Sequence, residues 1–390
     1  MDFSTHFARR VAGMKPSALR EILKLTQKSK VVSFAGGLPA PNLFPKERIA
    51  QAAQKVLDEQ GATALQYGTS EGYTPLREWV AQGMKVNPEQ VQIVSGSQQG
   101  LDIIAKIFLD PGDKVVVAEP TYLGALRTFD VYEAQYLSVL CDDQGMLPEA
   151  LEVALKQKPK LIYAIPNFDN PTGISMSLER RQQLVTLARK YNVPIYEDNP
   201  YGELRFEGVE LPNLYELAPD IVVYGGTFSK IMVPGFRLGW IVAQSEVIDA
   251  CVRAKQAADL HTATFTQMIA YEVSKDGFMD EQILKVRAYY HQQRNLMISA
   301  IEKNFPEDAH FTRPTGGMFL WVTLPKGNDT LKLLEQAVKR GVAYVPGEPF
   351  FANGGGLNTL RLSYSIATPE QVEKGMASLG ELLREEKIVS

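Results

Sequence analysis

Polar side chains that could carry chemistry follow several short apolar runs of this chain. Residues 95–98 (Ser-Gly-Ser-Gln) follow Val94, and residues 170–173 (Asn-Pro-Thr-Gly) come soon after another apolar run. Asp198 ends a third run and Lys230 follows a fourth. A glycine turn that opens a helix can present amides to an anion, and a carboxylate beside a buried strand needs a cationic partner. A lysine held inside can act as a nucleophile or a base.

Each signal also has an ordinary explanation when it stands alone. The turn at 95–98 is compatible with a simple helix cap, and the turn at 170–173 with a surface reversal. Asp198 is equally compatible with a structural pair to an arginine, and most lysines are solvated. Tyr201, three residues after Asp198, is more often a core residue than a site residue when considered singly. The individual residues therefore leave both explanations open.

The elements that must position these residues alternate between strand and helix. Short β-branched runs predict strands, and they are separated by stretches with helical periodicity: 91–94, 114–117, 161–165, 193–196 and 221–224. Leu101, Ile104, Ala105 and Phe108 have the spacing of a helix that ends before Pro111. Near-continuous apolar strands are typical of a mainly parallel sheet with helices on both faces. The fold class is therefore α/β, and such sheets bind ligands at the carboxyl ends of their strands.

The pattern of predicted strands and helices changes near residue 290. Strand-like runs at 318–322, 342–345 and 359–363 lie between helices and predict a smaller α+β domain. Residues 17–28 predict a short amphipathic helix that packs beside it. We therefore expect an N-terminal segment at 1–44, a large domain at 45–289 and a small domain at 290–390.

Composition and charge exclude several classes of protein. The chain has 390 residues, and its 41 basic and 45 acidic residues give a net charge of −4, which offers no positive field for a nucleic acid. Cys141 and Cys251 lack the spacing of a disulfide framework or a zinc site, and the four histidines show no metal-ligand pattern, so no metal is expected. The first ten residues lack the apolar core of a signal peptide, and no apolar run approaches the length of a membrane span. We expect a soluble cytoplasmic protein.

Taken together and in this order, the motifs resemble the fold-type I pyridoxal-phosphate enzymes, and specifically the class I aminotransferases. The resemblance rests on residues 170–173, on Asp198 with Tyr201, and on Ser229-Lys230 with Arg237. It covers nearly the whole chain. It implies a large domain with a mostly parallel seven-stranded sheet between helices, plus the smaller domain, and it implies pyridoxal 5'-phosphate as the cofactor.

The resemblance also implies a catalytic role for Lys230, Asp198 and Tyr201, with further contacts to the cofactor from Asn170 and Tyr122. Lys230 would form the Schiff base with the cofactor aldehyde and then shuttle a proton between the substrate Cα and the cofactor C4′. Asp198 would pair with the pyridine nitrogen and keep it protonated, so that the ring withdraws electrons. Asn170 and Tyr201 would hydrogen-bond the phenolic oxygen of the ring, and Tyr122 would stack on its face.

The remaining cofactor contacts concern the phosphate. The resemblance assigns them to amides, hydroxyls and one guanidinium, contributed by Ser97, Gln98, Thr227, Ser229 and Arg237. Tyr67 resembles a tyrosine that reaches the phosphate from a neighbouring subunit. A homodimer with shared active sites is therefore implied.

The substrate would be an amino acid that donates its α-amino group to 2-oxoglutarate. Arg361 matches the arginine that grips the α-carboxylate, with Asn170 and the amide of Gly37 beside it. Residues 17–21, 34–41 and 349–354 resemble the branch with 2-aminoadipate and kynurenine aminotransferases, in which 2-aminoadipate transamination serves lysine biosynthesis. Arg20 would then pair with a distal carboxylate, or swing aside for aromatic and aliphatic side chains. The other reading of Arg20 is a solvated residue on an amphipathic helix.

Three rival functions differ from this one. A β-lyase or synthase would share the lysine, aspartate and asparagine contacts but release ammonia and pyruvate or close a ring. A DNA-binding regulator would need a separate reader domain, for which we expect no room before the cofactor domain, and the acidic balance disfavours it. A catalytically dead scaffold would have no reason to keep Lys230, Asp198 and Asn170 together. The resemblance further predicts cis peptide bonds at Glu119-Pro120 and Asn170-Pro171.

Overall fold

The computed structural model describes residues 1–14 and 31–389. Its strands are β1 (Val32–Ser33), β2 (Val91–Val94), β3 (Lys114–Glu119), β4 (Gln135–Asp142), β5 (Gly145–Met146), β6 (Leu161–Ala164), β7 (Ile195–Asp198), β8 (Val222–Thr227), β9 (Gly239–Val242), β10 (His310–Phe311), β11 (Phe319–Thr323), β12 (Val342–Ala343), β13 (Val345–Pro346) and β14 (Thr359–Ser363). Within these residues the strands form a large mixed sheet, a small antiparallel sheet and one isolated parallel pair.

The helices connect and cover these sheets. They are α1 (Lys46–Ala64), α2 (Thr74–Met84), α3 (Ser97–Phe108), α4 (Leu123–Val131), α5 (Pro148–Leu155), α6 (Leu178–Tyr191), α7 (Leu214–Leu217), α8 (Ser245–Asp259), α9 (Thr264–Ser274), α10 (Phe278–Asn304), α11 (Thr330–Lys339) and α12 (Pro369–Val389). Short 3-10 helices lie at Phe3–His6, Arg9–Gly13, Pro41–Leu43, Pro88–Gln90, Gly202–Leu204, Pro234–Phe236 and Glu348–Phe350.

The large sheet has the strand order β2-β9-β8-β7-β6-β3-β4-β5. The pairs from β8 to β4 are parallel, whereas β9 runs antiparallel to both of its neighbours. The two-residue strand β5 extends the predicted seven strands by one at the edge. Because β9 is inserted between β2 and β8, the carboxyl ends of β2, β8, β7, β6 and β3 all meet at one edge of the sheet. This edge holds the residues that the sequence singled out.

The sheet is buried on both faces, as its apolar strands predict. Every residue of β2, β6, β7 and β8 is buried. Helix α3 covers one face through Leu101, Ile104 and Ala105, and its chain leaves the helix before Pro111. The glycine turn therefore sits at the start of a helix whose orientation is fixed by the core.

The small sheet has the order β10-β11-β14-β13 and is antiparallel. The prediction of one strand at 342–345 was wrong, because Tyr344 separates two short strands that join different sheets. β12 pairs with β1 of the N-terminal segment, whereas β13 pairs with β14. A four-residue apolar run cannot by itself reveal that its two halves have different partners.

Helix α10 runs unbroken through the predicted boundary at 289/290, and its later turns pack along α12. The domain boundaries stay a prediction. None of the helices in the described segments has the length and apolar character needed to span a bilayer.

Candidate active site

Two adjoining cavities open at the carboxyl edge of the large sheet. One, of about 300 Å³, lies above the strand ends and reaches Asp198, Thr227 and Arg237. The other, of about 330 Å³, lies toward the small sheet and reaches Gly37, Arg127 and Arg361. Five residues line both: Gln98, Tyr122, Asn170, Tyr201 and Lys230. The cavities therefore form one chamber with Lys230 between its two halves.

Lys230 follows β8, and its Nζ donates a hydrogen bond to the carbonyl oxygen of Gly37 at 3.0 Å. Burial, and then the positive charges of Arg361 and Arg237, lower the pKa of Lys230 to about 8. Nζ also lies 5.9 Å from the centre of the Tyr201 ring. An amine with this pKa is partly neutral near physiological pH, and the neutral form is the nucleophile and the base.

Asp198 is the last residue of β7 and is almost fully buried. Its Oδ2 accepts a hydrogen bond from the hydroxyl of Tyr163 at 2.8 Å. Its Oδ1 has no hydrogen-bond partner among residues 1–14 and 31–389. Burial raises the pKa of Asp198 to about 6, and the Tyr163 hydrogen bond opposes that rise. One carboxylate oxygen is thus available to a cationic donor inside the first cavity.

A chain of hydrogen bonds connects the small sheet with the large one. Arg361, on β14, donates through Nη1 to Asn170 Oδ1 at 2.6 Å and through Nη2 to the carbonyl oxygen of Ala35 at 2.7 Å. Asn170 Nδ2 in turn donates to the hydroxyl of Tyr201 at 3.3 Å. Burial lowers the pKa of Arg361 to about 10, so the guanidinium stays charged. A cation thus faces the second cavity.

Aromatic rings hold that guanidinium in place. The Cζ atom of Arg361 lies 4.2 Å from the centre of the Phe319 ring and 5.2 Å from that of Phe350. Contacts of this kind orient the plane of the group and compensate part of its lost hydration. The fork that remains is suited to a planar carboxylate.

The other end of the chamber is built to hold an anion. Helix α3 begins at Ser97, directly after Gly96, whose φ of +83° is the left-handed conformation that glycine adopts without strain. A Cβ atom on Gly96 would lie 2.6 Å from Nη2 of Arg237, so the guanidinium is in contact with this turn. Thr227 donates to Ser229 Oγ at 3.0 Å on the opposite side. The amides at the start of α3, the hydroxyls of Thr227 and Ser229, and the Arg237 guanidinium thus line the same end of the first cavity.

Gly239 brings these two sides together. In the sheet it lies between Val94 and Thr227, the last residues of β2 and β8. A Cβ atom at Gly239 would lie 2.7 Å from the carbonyl oxygen of Gly226 and 2.8 Å from the amide nitrogen of Ser97. Only a residue without a side chain fits here, and the sequence alone did not single it out.

The structure brings together most of the predicted site residues but not all. Tyr122 lines both cavities, whereas Tyr67 lines neither and is 78% exposed, with its ring edge against His261. Gly37 faces Lys230 through its carbonyl oxygen. Arg20 lies outside the described residues.

The turn at 170–173 differs from the prediction in one respect. Glu119-Pro120 is the one cis peptide bond in the described part of the chain, so the prediction of a cis bond at Asn170-Pro171 was wrong. Gly173, with φ of +73°, reverses the chain instead, and its amide donates to the Asp169 carbonyl oxygen at 2.6 Å. Asn170 therefore reaches the chamber without a cis bond before Pro171.

Sequence reasoning missed Tyr163, Phe319, Phe350 and Arg127. Tyr163 carried a usable signal, because a tyrosine in an otherwise aliphatic buried strand needs a partner for its hydroxyl. Phe319 and Phe350 became recognisable only once the packing around Arg361 was known. Arg127 lies on α4, which had not been predicted.

Residues at this edge match the parts of pyridoxal phosphate. The anion cradle suits a phosphate, the unpartnered Oδ1 of Asp198 suits a protonated ring nitrogen, and the amine of Lys230 suits an aldehyde. Among the described residues, no group of three or more histidine, cysteine, aspartate or glutamate side chains is arranged to hold a metal ion.

Comparison with known proteins gives a consistent result. A family model described as aminotransferase class I and II matches residues 30–379. An aromatic-amino-acid aminotransferase 1 of Thermococcus litoralis is 44% identical and is aligned over 99% of this chain and 96% of its own. A 2-aminoadipate transaminase of Thermus thermophilus is 43% identical over 98% of both chains. The crystal structure of LysN, an α-aminoadipate aminotransferase of Thermus thermophilus complexed with N-(5'-phosphopyridoxyl)-L-leucine, superposes with a TM-score of 0.95, 42% identity and full coverage of both chains.

Proposed function

Because the chain belongs to the class I and II aminotransferases, a family of pyridoxal-phosphate enzymes, we propose that it moves the α-amino group of an amino acid to 2-oxoglutarate by a ping-pong mechanism. The donors proposed are 2-aminoadipate, glutamate, and aromatic or branched-chain amino acids. The single observation that supports this most is the chamber itself. It places a buried carboxylate with a free oxygen, an amine of lowered pKa and a buried guanidinium around one space.

Pyridoxal phosphate, when bound, supplies an aldehyde that reacts with amines and a ring that withdraws electrons. Lys230 Nζ would hold the aldehyde carbon until a substrate amine displaces it. The freed amine, with its lowered pKa, would then take the proton from the substrate Cα and return it at C4′. Asp198 Oδ1 would accept a hydrogen bond from the protonated pyridine nitrogen and so keep the proton on that nitrogen.

The phosphate end needs an anchor that survives repeated exchange at Nζ. Amides at the start of α3, the hydroxyls of Thr227 and Ser229, and the Arg237 guanidinium would supply it. Hydrogen bonds to a charged group contribute about 1.5–3 kcal/mol each, so several together retain the cofactor. Tyr122, which lines both cavities, would cover one face of the ring.

Arg361 would bind the α-carboxylate of the substrate through its planar fork, with the amide of Gly37 beside it. The side chain of Asn170 contacts the Arg361 guanidinium through Oδ1 and the Tyr201 hydroxyl through Nδ2. It would therefore orient both the carboxylate-binding arginine and the groups around the phenolic oxygen of the cofactor ring. The substrate side chain would then point into the second cavity.

The choice of donor is supported by the relatives, one of which is named for aromatic amino acids and another for 2-aminoadipate. We propose that Arg20 forms an ion pair with the distal carboxylate of 2-aminoadipate or glutamate. Arg20→Ala should lower kcat/KM for 2-aminoadipate and glutamate by about 100-fold, the value of a lost charge pair, with little change for leucine or phenylalanine. Steady-state kinetics with a donor panel measures this difference. Equal losses for all donors would remove the proposed role.

We propose a homodimer in which Tyr67 of each subunit reaches the phosphate of the other. The exposure of the Tyr67 side chain is compatible with this arrangement, since it leaves the ring and its hydroxyl accessible to a second subunit. Sedimentation equilibrium should give twice the chain mass.

A donor-only experiment tests the proposed function. The holoenzyme mixed with 2-aminoadipate or phenylalanine, without an acceptor, should convert its cofactor to pyridoxamine phosphate, and 2-oxoglutarate should restore the original spectrum. A β-lyase would instead release ammonia and pyruvate from a donor with a β-leaving group and keep the aldehyde form. Lys230→Ala is the control, and it should lose at least about 10⁴-fold in turnover because nucleophile and base are the same atom.

A further inference from the structure

The hydroxyl of Tyr163 contacts the carboxylate of Asp198 on the side away from the chamber. Tyr163 lies on β6, the strand next to β7, and only 1% of its surface is exposed. Its hydroxyl donates to Oδ2 of Asp198 at 2.8 Å, and Oδ1 is left unpartnered as far as the described residues extend. The two oxygens of the carboxylate are therefore divided between a protein donor and the chamber.

The position of that hydroxyl is fixed by packing. The Tyr163 ring meets Phe129 edge-on, with centroids 5.7 Å apart, and lies tilted against Tyr196 at 6.2 Å. Buried rings in a strand cannot rotate away without displacing their neighbours. The packing therefore holds the Tyr163 hydroxyl against the carboxylate of Asp198.

The chemistry of the pair favours a charged carboxylate. Burial alone raises the pKa of Asp198, and the hydrogen bond from Tyr163 acts in the opposite direction because it stabilises the anion. Burial also raises the pKa of Tyr163 far above its ordinary value, so the phenol keeps its proton and remains a donor.

We propose that Tyr163 is a positioning residue for the cofactor: its hydroxyl occupies one oxygen of Asp198, so that the other faces the pyridine nitrogen as a charged acceptor. This inference rests on the proposed function, because it requires a ring nitrogen in the chamber. Tyr163 touches neither cofactor nor substrate and acts only through Asp198.

Tyr196 provides a matched control. It is buried, lies beside Tyr163 in the register of β6 and β7, and its hydroxyl has no hydrogen-bond partner anywhere in the described part of the chain. Tyr196→Phe therefore removes the same atom from the same layer of the core without removing a hydrogen bond to Asp198.

The test measures cofactor binding to three apoproteins: wild type, Tyr163→Phe and Tyr196→Phe. Tyr163→Phe should raise the dissociation constant for pyridoxal phosphate about tenfold, the effect of losing one hydrogen bond to a charged group. Tyr196→Phe should change that constant less than about twofold. A cofactor analogue with CH in place of the ring nitrogen should bind wild type and Tyr163→Phe equally. The rate constant of the donor-only half-reaction should also fall in Tyr163→Phe, while the apparent dissociation constant for the donor stays constant.

Several outcomes would overturn the inference. Unchanged affinity in Tyr163→Phe would do so, as would an equal loss for pyridoxal phosphate and for its ring-carbon analogue, because that pattern indicates a purely structural role. Loss of folding in Tyr163→Phe but not in Tyr196→Phe would count in the same way. If the wild-type apoprotein bound no pyridoxal phosphate, the proposed function itself would fail, so the two failures are distinguishable.

Discussion

Arg361 receives contacts from four separate segments of the chain. The carbonyl oxygen of Ala35 and the side chain of Asn170 accept its hydrogen bonds, and Phe319 and Phe350 flank its guanidinium. None of these contacts depends on charge alone, because each uses the plane or the fork of the group. A lysine in the same place would keep the charge and lose the geometry.

Arg361→Lys should therefore lower kcat/KM for every amino donor by about 100-fold, mostly through KM, because a two-point contact becomes a single one. Steady-state kinetics with several donors measures the loss. Arg313→Lys is a matched control, since that guanidinium also lies over a phenylalanine ring and pairs with a glutamate, but far less buried. An Arg361→Lys enzyme with unchanged KM would contradict the proposed carboxylate contact.

Single residues were predictable from the sequence where their position relative to a strand end carried the signal. Asp198 and Lys230 follow apolar runs, and Asn170 stands before a proline, so the sheet edge could be assembled before its geometry was known. Tyr163 could not be assigned to Asp198 because the two are 35 residues apart and meet only through the pairing of β6 with β7.

The strands show where the prediction from periodicity ends. β2 and β14 have the predicted bounds, whereas β4 and β9 were missed. β4 is mostly half-exposed and lacks a continuous apolar run, and β9 begins with a glycine and follows a run of turn residues. The antiparallel insertion of β9 between β2 and β8 depends on long-range pairing, which no local pattern encodes.

Gly239 on β9 gives that insertion a functional consequence. Gly239→Ala would force a Cβ atom against the amide nitrogen of Ser97 and the carbonyl oxygen of Gly226. We expect pyridoxal phosphate to bind at least about tenfold more weakly and the free energy of unfolding to fall by about 1–3 kcal/mol, as for other overpacked core positions. Equilibrium dialysis and chemical denaturation measure the two effects.

Gly235→Ala is the control for this substitution, because a Cβ atom at Gly235 would meet nothing within 4 Å. It lies four residues from Gly239 and should leave both cofactor affinity and stability nearly unchanged. Equal behaviour of the two alanine variants would show that the close approach at β9 does not shape the cradle.

Buried carboxyl groups give the whole apoprotein an unusual response to pH. Burial raises the pKa of Asp198 to about 6 and that of Glu197 to about 7, although two backbone amides bind the Glu197 carboxylate. Both values lie above those of the unfolded chain, so between pH 8 and pH 5 the folded protein takes up protons that the unfolded chain does not. Stability from these groups is therefore gained as the pH falls through this window and lost as it rises.

The free energy of unfolding of the apoprotein should accordingly be greater at pH 6 than at pH 8. Asp198→Asn removes one of these groups, so it should stabilise the apoprotein by about 3 kcal/mol at pH 8 and by about half as much at pH 5, where the carboxylate of the unfolded chain is still mostly charged. Urea denaturation at each pH measures both differences. A wild-type midpoint that stayed constant or fell on acidification would refute the expectation.

Asn170 belongs to the large sheet's edge and Arg361 to the small sheet, yet a single short hydrogen bond joins them. In the proposed roles, the amide of Asn170 takes part in two binding events: it contacts the phenolic oxygen of the cofactor, and it contacts the arginine that binds the substrate carboxylate. Two binding equilibria that share a group are thermodynamically linked, and each must alter the other by the same factor. The factor by which an inhibitory dicarboxylate changes the affinity for pyridoxamine phosphate should therefore equal the factor by which that cofactor form changes the affinity for the dicarboxylate, a coupling that depends on one side chain.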